Sequence, residues 1–160
     1  MSSTDPTDIR AWQRLGADLS TSGRLEAHDP ARLAAAGVRQ VINLALDNHP
    51  EALAGESEML AAQAIGYTHI PVPFDAPGED HFAAFCAALE AADGPVHVHC
   101  IMNWRVSAFF YRYHLARGMD KAEARALMEQ QWAPDTSDNP AAAVWADFIA
   151  AGQLLSHPKS

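Results

Sequence analysis

Cys100 and Arg105 stand with four residues between them, at the point where an apolar run, PVHVH over residues 95–99, gives way to a helical pattern. Ile101, Met102, Asn103 and Trp104 fill the gap. A loop that leaves the carboxyl end of a strand and enters a helix turns successive backbone N–H groups towards one point, and the helix dipole adds positive potential there. Such a place can hold an oxyanion. The same field favours thiolate over thiol in a cysteine at its centre, and the thiolate is the nucleophilic form. Arg105 adds a planar guanidinium able to clamp two anion oxygens at once, which a lysine would not reproduce. The bland alternative makes Cys100 a small buried apolar residue at a strand end. The arginine at the helix start weighs against it.

To position that loop the chain needs a strand before it, a helix after it and a sheet beneath it. Residues 38–44 (VRQVINL), 67–72 (YTHIPV) and 95–99 are short β-branched-rich runs bounded by Gly or Pro, and a weaker strand is expected over 14–20. Asp29 and Pro30 open a helix that Gly37 ends; a second is expected over 50–65, stopped by Gly66. A third runs from Pro77 to about Ala92, with Glu79 and Asp80 in its first turn and a stripe of Phe82, Phe85, Cys86 and Leu89 to face the sheet. After Arg105 the residues Val106, Phe109, Phe110 and Tyr113 repeat that spacing before Gly118, as expected of a central helix packed on several sides. Asp120 and Glu123 cap the next helix, and Asn139 with Pro140 opens the last, which carries Val144, Trp145, Phe148 and Ile149. Strand, crossover helix and strand in alternation predict a single-domain α/β fold, a mainly parallel sheet with helices on both faces. Ligands of such sheets bind at the carboxyl ends of strands. Polar ends at 1–8 and 156–160 are expected to be flexible tails around a domain spanning 9–155.

Composition narrows the partners. The 160 residues, 49% of them hydrophobic, suit one core. A net charge of −9 repels a phosphate backbone or an anionic membrane on average, so neither nucleic acid nor membrane is expected as a partner. There is no apolar h-region in residues 1–8 and no apolar run long enough to span a bilayer. Two cysteines, Cys86 and Cys100, outside any C-x-x-C pair fit a reducing, cytoplasmic setting.

Four segments carry a family resemblance: LSTSG at residues 19–23, GVRQVINL at 37–44, HIPVPFDAP at 69–77 and HCIMNWRVS at 99–107. Together they resemble the cysteine-dependent protein tyrosine and dual-specificity phosphatases, in particular their bacterial phosphatase-like relatives. The resemblance covers most of the chain. It implies a dual-specificity phosphatase-like fold and phosphoester hydrolysis through a cysteinyl-phosphate, with no metal and no cofactor. Cys100 then resembles the nucleophile and Arg105 the clamp on the transferring group, with Ile101, Met102, Asn103 and Trp104 completing the phosphate-binding loop and His99 and Ser107 supporting it. An aspartate on the loop after the third strand would protonate the leaving oxygen. Asp75 is the choice, because its loop can swing over the site; Asp80 is the fallback, since an acid in the first turn of a helix ordinarily just satisfies the dipole.

The loop departs from that pattern in three ways. These phosphatases place five residues between cysteine and arginine, not four. Their loop glycine is absent, and Asn103, which best tolerates left-handed backbone after glycine, stands ready to replace it. Val106 occupies the position where a hydroxyl commonly follows the arginine, with Ser107 one place later. A spacing of four is common in rhodanese-like sulfurtransferases, whose cysteine carries a sulfane sulfur. Those, however, follow the active-site helix with another strand and a glycine-rich turn, whereas residues 120–155 read as helix throughout. A third reading is a pseudo-phosphatase that binds a phosphorylated partner without hydrolysing it, since an anion site needs no catalysis.

The expected ligand is a phosphorylated substrate or anion. Apart from Arg105 the loop has no basic residue, which disfavours multiply phosphorylated inositol lipids and leaves phosphotyrosine or a small phosphoester. His97 and His99 point to one side of their strand, near His69. A metal site is one use of them; the better reading makes His97 a packed strand residue and His99 a hydrogen-bonding neighbour of the loop. Cys86 reads as an inert core thiol, or less readily as an oxidative partner for Cys100. Asp47, Asn48 and His49 read as turn and cap residues rather than a pocket rim. Met102 and Trp104 bring bulk that either walls a pocket or packs under the loop.

Overall fold

Alternation along the last strand decides which residues face which layer. Val96 and Val98 pack into the larger core, while His97 and His99 face the opposite side of the sheet. The computed structural model describes residues 5–156, with side chains to residue 151. Its elements are β1 (Gln13–Gly16), β2 (Leu19–Ser22), α1 (Asp29–Ala35), β3 (Gln40–Asn43), α2 (Glu56–Ala62), β4 (Gly66–His69), α3 (Glu79–Ala91), β5 (Val96–His99), α4 (Trp104–Ala116), α5 (Lys121–Glu129) and α6 (Ala142–Ser156). The strands form one sheet in the order β1-β2-β5-β3-β4, parallel except for the antiparallel β1–β2 pair. The single α/β domain with a mainly parallel sheet is the fold expected from the sequence.

β5 lies at the centre of that sheet. His97 stands opposite Ser20 on β2 and Val41 on β3, and His99 opposite Ser22 and Asn43. One face packs Val41 and Tyr67 against Leu33 of α1 and Leu60 of α2. The other packs Ile42, Val96 and Val98 against α3, α4, α5 and α6. Phe85 of α3 is fully buried there, edge-on to Phe109 at 5.3 Å and to Phe110 at 5.0 Å. Each such ring stabilises the fold by about 1.5–3 kcal/mol through burial alone. The stripes read from α3 and α4 are therefore core faces.

The structure differs from the sequence reading in three places. The weak strand over 14–20 is a hairpin of β1 and β2, turned at Ala17 and Asp18, and the Arg14 guanidinium closes the turn on the carbonyls of Gly16 and Ala17. The helix expected over 50–65 starts only at Glu56, because Gly55 is left-handed (φ +76°) and residues 50–54 run as turns. Of the N-terminal tail, Asp5–Asp8 are attached. Asp5 pairs with Arg14 through two bonds of 2.7 and 2.8 Å, Asp8 pairs with Arg32, and Pro6 is buried. Residues 1–4 and 157–160 of the expected tails lie outside the described residues. No helix among the described residues is long and apolar enough to cross a membrane.

Candidate active site

The strand-to-helix loop forms as a tight crossing. The Cys100 amide makes the last sheet contact, donating to the Ser22 carbonyl at 3.4 Å, and α4 begins at Trp104. Between them Asn103 is left-handed at φ +67°, a conformation that costs an ordinary L-residue about 1–2 kcal/mol. Its side chain holds it there: Nδ2 donates to the Ala11 carbonyl at 2.9 Å and to Thr21 Oγ1 at 3.1 Å, and the residue is fully buried. Asn103 thus takes the place of the missing glycine. The neighbouring strap is as close. The Arg24 amide donates to the Ile101 carbonyl at 2.9 Å, and a Cβ on Gly23 would lie 2.4 Å from that oxygen, which is why the LSTSG segment ends in glycine. Among the described residues, the amides of 101–105 have no hydrogen-bond partner.

Arg105 lies in the first turn of α4 with 6% of its surface exposed. Its Nε donates to the Val72 carbonyl at 2.8 Å, and its guanidinium lies over the Phe74 ring, 5.1 Å from the centroid. Its two terminal nitrogens have no partner among the described residues. Phe74, His49, Ile101, Met102, Trp104 and Arg105 line a pocket of about 200 Å³. Met102 and Trp104 are therefore wall residues, and His49 belongs to the rim after all. The Cys100 side chain is wholly buried in the larger core and is not among the residues that line this pocket.

The loop that carries Asp75 is anchored to the same corner. Phe74 packs against Trp104, Trp132 and Trp145, and Trp145 Nε1 donates to its carbonyl at 2.6 Å. Asp75 follows in an exposed turn, with no partner among the described residues. Asp80 is exposed in the first turn of α3. The Ser107 hydroxyl donates to the Trp104 carbonyl at 3.1 Å, one turn back along α4, so its proton is spent on the helix backbone.

Beneath the loop lies a buried polar layer that the sequence reading only half anticipated. His99 Nδ1 donates to the Cys100 carbonyl at 3.1 Å, as expected of a neighbour of the loop, while its Nε2 lies 2.6 Å from the carboxylate of buried Glu56. Glu56 also accepts from Asn43 Nδ2, which in turn donates to the Tyr67 hydroxyl at 3.1 Å. Burial, with Glu56 and Asp47 nearby, pushes Tyr67 up to about 12. The partner of His99 had no signal in the sequence, because Glu56 fell in mid-helix in the expected 50–65 segment. Register would have placed Asn43 beside His99.

His97 sits between two serines, with Nδ1 2.8 Å from Ser20 Oγ and Nε2 2.8 Å from Ser22 Oγ. Because the Ser22 hydroxyl donates to the Gly23 carbonyl, it must accept from Nε2–H, and Ser20 donates to Nδ1. Burial holds His97 well below the usual histidine range, with His99 and Arg14 adding to the effect. His69 Nε2 donates to the Ala45 carbonyl at 2.6 Å. The three histidines are thus each committed to protein partners, and the described residues contain no group of three or more His, Cys, Asp or Glu that could hold a metal. Cys86 and Cys100 are both free thiols, and burial raises Cys86 above its ordinary value.

A mainly parallel sheet whose central strand runs through a cysteine loop into a helix with a buried arginine in its first turn defines a phosphatase-like protein with the protein tyrosine and dual-specificity phosphatase fold. Within that class the chain belongs to the family described as beta-lactamase hydrolase-like protein, phosphatase-like domain, whose model matches residues 9–112, from before β1 through the loop into α4. It is 30% identical to a DUF442 protein of Shewanella putrefaciens CN-32 described as a candidate phosphatase, with a TM-score of 0.76, covering 91% of this chain and 94% of that one. A candidate phosphatase of Neisseria meningitidis Z2491 is 21% identical with a TM-score of 0.68, over 90% of this chain and 96% of that one. TpbA of P. aeruginosa, in a cysteine-to-serine form complexed with phosphotyrosine, is 21% identical with a TM-score of 0.70, over 95% of this chain and 92% of that one. The last two likenesses are of fold. No curated protein matches the chain. The sulfurtransferase alternative loses its footing here, because α5 and α6 follow α4 where a further strand was required.

Proposed function

We propose that the chain is a cytoplasmic phosphomonoester hydrolase acting through a cysteinyl-phosphate on Cys100, with phosphotyrosine or another small aryl phosphate as its substrate type. The observation that carries this reading is Arg105: a nearly buried guanidinium with its terminal nitrogens unpaired, opening onto a pocket beside five unpartnered loop amides. A dianionic phosphate supplies what all of these groups lack.

In the proposed reaction the phosphate lies against the amides of 101–105 with two oxygens on Arg105. The Cys100 thiolate attacks phosphorus, the S–P bond forms, and the ester P–O bond breaks. Asp75 gives its proton to the departing oxygen. Water then attacks the phosphocysteine, Asp75 accepts the proton, and inorganic phosphate leaves with the thiolate regenerated. The Phe74 and Trp104 rings give the pocket an apolar wall suited to an aryl leaving group.

The wholly buried Cys100 side chain and the committed Ser107 hydroxyl support a second reading, phosphate binding without turnover. Hydrolysis of an aryl phosphate in EDTA, measured for the wild type beside Cys100→Ser and Arg105→Ala, separates the two. Turnover by the wild type alone, with a fall of at least about a hundredfold in both variants, is the expected result. Phosphate affinity in the wild type without turnover would establish the binding module instead.

A further inference from the structure

The Cys100 loop carries only one basic residue of its own, but the fold brings two more arginines alongside it. Arg10 Nη1 lies 3.4 Å from Met102 Sδ, and the Arg24 amide is bonded to the Ile101 carbonyl. Three of the eleven basic residues of a chain with net charge −9 therefore flank one loop. Arg10 is held there by unusual means. Its carbonyl accepts from the Gly23 amide at 2.7 Å, and the next residue, Ala11, is left-handed at φ +53° with its own carbonyl taken by Asn103. Left-handed alanine costs about 1–2 kcal/mol, so this strain is sustained by the same contacts that shape the loop.

Both guanidiniums converge on one carboxylate. Glu51 Oε1 lies 2.8 Å from Arg10 Nη1 and 3.5 Å from Arg24 Nη1, with the arginine side chains 35% and 32% exposed and Glu51 42% exposed. The Arg10 hydrogen bond draws Glu51 below the usual carboxylate range. Arg24 Nη2 also lies 3.4 Å from the exposed Glu26 carboxylate, whereas Nε and Nη2 of Arg10 have no partner among the described residues, so the capacity of the pair is not exhausted by its internal carboxylates. Glu51 belongs to the turn segment over 50–54, outside α2, and its amide takes part in no sheet or helix pairing but donates to Nδ1 of the rim residue His49.

We propose that Arg10 and Arg24 form a second anion subsite beside the loop, selecting a phosphomonoester that carries another anionic group, with Glu51 as the internal carboxylate that such a substrate displaces. This deepens the phosphatase reading and rests on it. The second anion, an acidic side chain of a phosphopeptide or the second phosphate of a small bisphosphate, crosses over Met102 from the Arg105 pocket to the arginine pair. Aryl phosphates with no second charge use Arg105 alone.

The test is titration calorimetry on the Cys100→Ser protein, which cannot turn over its ligand. The probes are phenyl phosphate, 1,4-phenylene bisphosphate, and phosphotyrosyl peptides with either alanine or aspartate on both sides. The expected result is about tenfold tighter binding of one second-anion probe than of its singly charged counterpart, shrinking between 0.05 and 0.5 M salt. Whether the bisphosphate or the aspartate peptide shows it identifies the source of the second charge. Adding Arg10→Gln and Arg24→Gln, which keep the side-chain stems and all the main-chain bonds, removes the preference and leaves phenyl phosphate affinity within about twofold. Adding Glu51→Gln instead strengthens the second-anion probe about threefold. Equal affinity for charged and uncharged counterparts, with phenyl phosphate bound, overturns the subsite while sparing the phosphatase reading. Preference that survives the double glutamine variant overturns it as well. Failure to bind phenyl phosphate at all removes the site on which both ideas stand.

Discussion

Asn103 bears two duties that are separable by substitution. Its backbone supplies the left-handed step that lets a four-residue span join β5 to α4, and its amide ties the loop to Ala11 and Thr21. Asn103→Gly keeps the first and loses the second; Asn103→Ala loses both. Alanine is therefore expected to destabilise the fold by about 2–4 kcal/mol, the left-handed cost plus buried acceptors left unpaired. Glycine is expected to recover about 1 kcal/mol or more of that. Urea unfolding of the three proteins reads the order directly, and an alanine variant as stable as the glycine one would show that the backbone step carries no strain. Glu56 invites a similar comparison. Truncation to alanine leaves His99 Nε2 buried without its partner and is expected to cost about 1–3 kcal/mol, whereas Glu56→Gln retains an acceptor and costs less. Equal losses in the two variants would make the carboxylate mere filler.

Among the elements, what was legible in the sequence followed from local chemistry. β3, β4 and β5 announced themselves by β-branched runs, and α3 and α4 by apolar stripes that became core faces. The place of the loop was legible too: the crossing from β5 to α4 falls where the sequence put it, with Asn103 in the left-handed step and Arg105 in the first turn of the helix. The β1–β2 hairpin was not, since Ala17 and Asp18 lack the Asn-Gly or Asp-Gly signature of a two-residue turn and the Arg14 side chain that closes it acts across the turn. The shortened α2 was hidden because residues 51–54 are good helix formers whose propensity yields to the left-handed Gly55. The anchoring of the Asp75 loop was hidden for a different reason: it depends on Trp145, seventy-one positions away in sequence. That contact is testable. Trp145→Phe keeps an aromatic ring at this fully buried position but leaves a cavity and removes the bond to the Phe74 carbonyl, and is expected to cost about 2–4 kcal/mol in stability. It should also lower kcat for an aryl phosphate more than it raises KM, because Asp75 is carried on the loosened segment. Unchanged kcat in a folded variant would detach Asp75 from the reaction.

At the scale of the whole molecule, one face of the sheet carries, beside its apolar cluster, a polar layer in which His97, His99, Glu56 and Asn43 are buried together. A polar layer of this kind makes stability depend on pH. Burial depresses His97 in the folded chain, so the folded state remains neutral where the unfolded chain takes up a proton. Below the unfolded value of about 6.5 the unfolded state therefore binds more protons, and stability falls as pH falls through that value, by at most about 1.4 kcal/mol per pH unit. His114, lowered by burial in the same way, adds to the loss. Carboxylates held low by arginine bonds, such as Glu79 beside Arg112, act in a separate window: their stabilisation is present above the unfolded value of about 4.5 and is lost as pH falls through the lower folded value. Urea midpoints measured from pH 7.5 to 5 should decline in the wild type. His97→Gln, though less stable at pH 7.5 because it disturbs the serine pair, should show a shallower decline over the same range, since the proton taken up at His97 is gone. A parallel decline in the two proteins would place the acid sensitivity elsewhere, with His114→Gln the next variant to separate it.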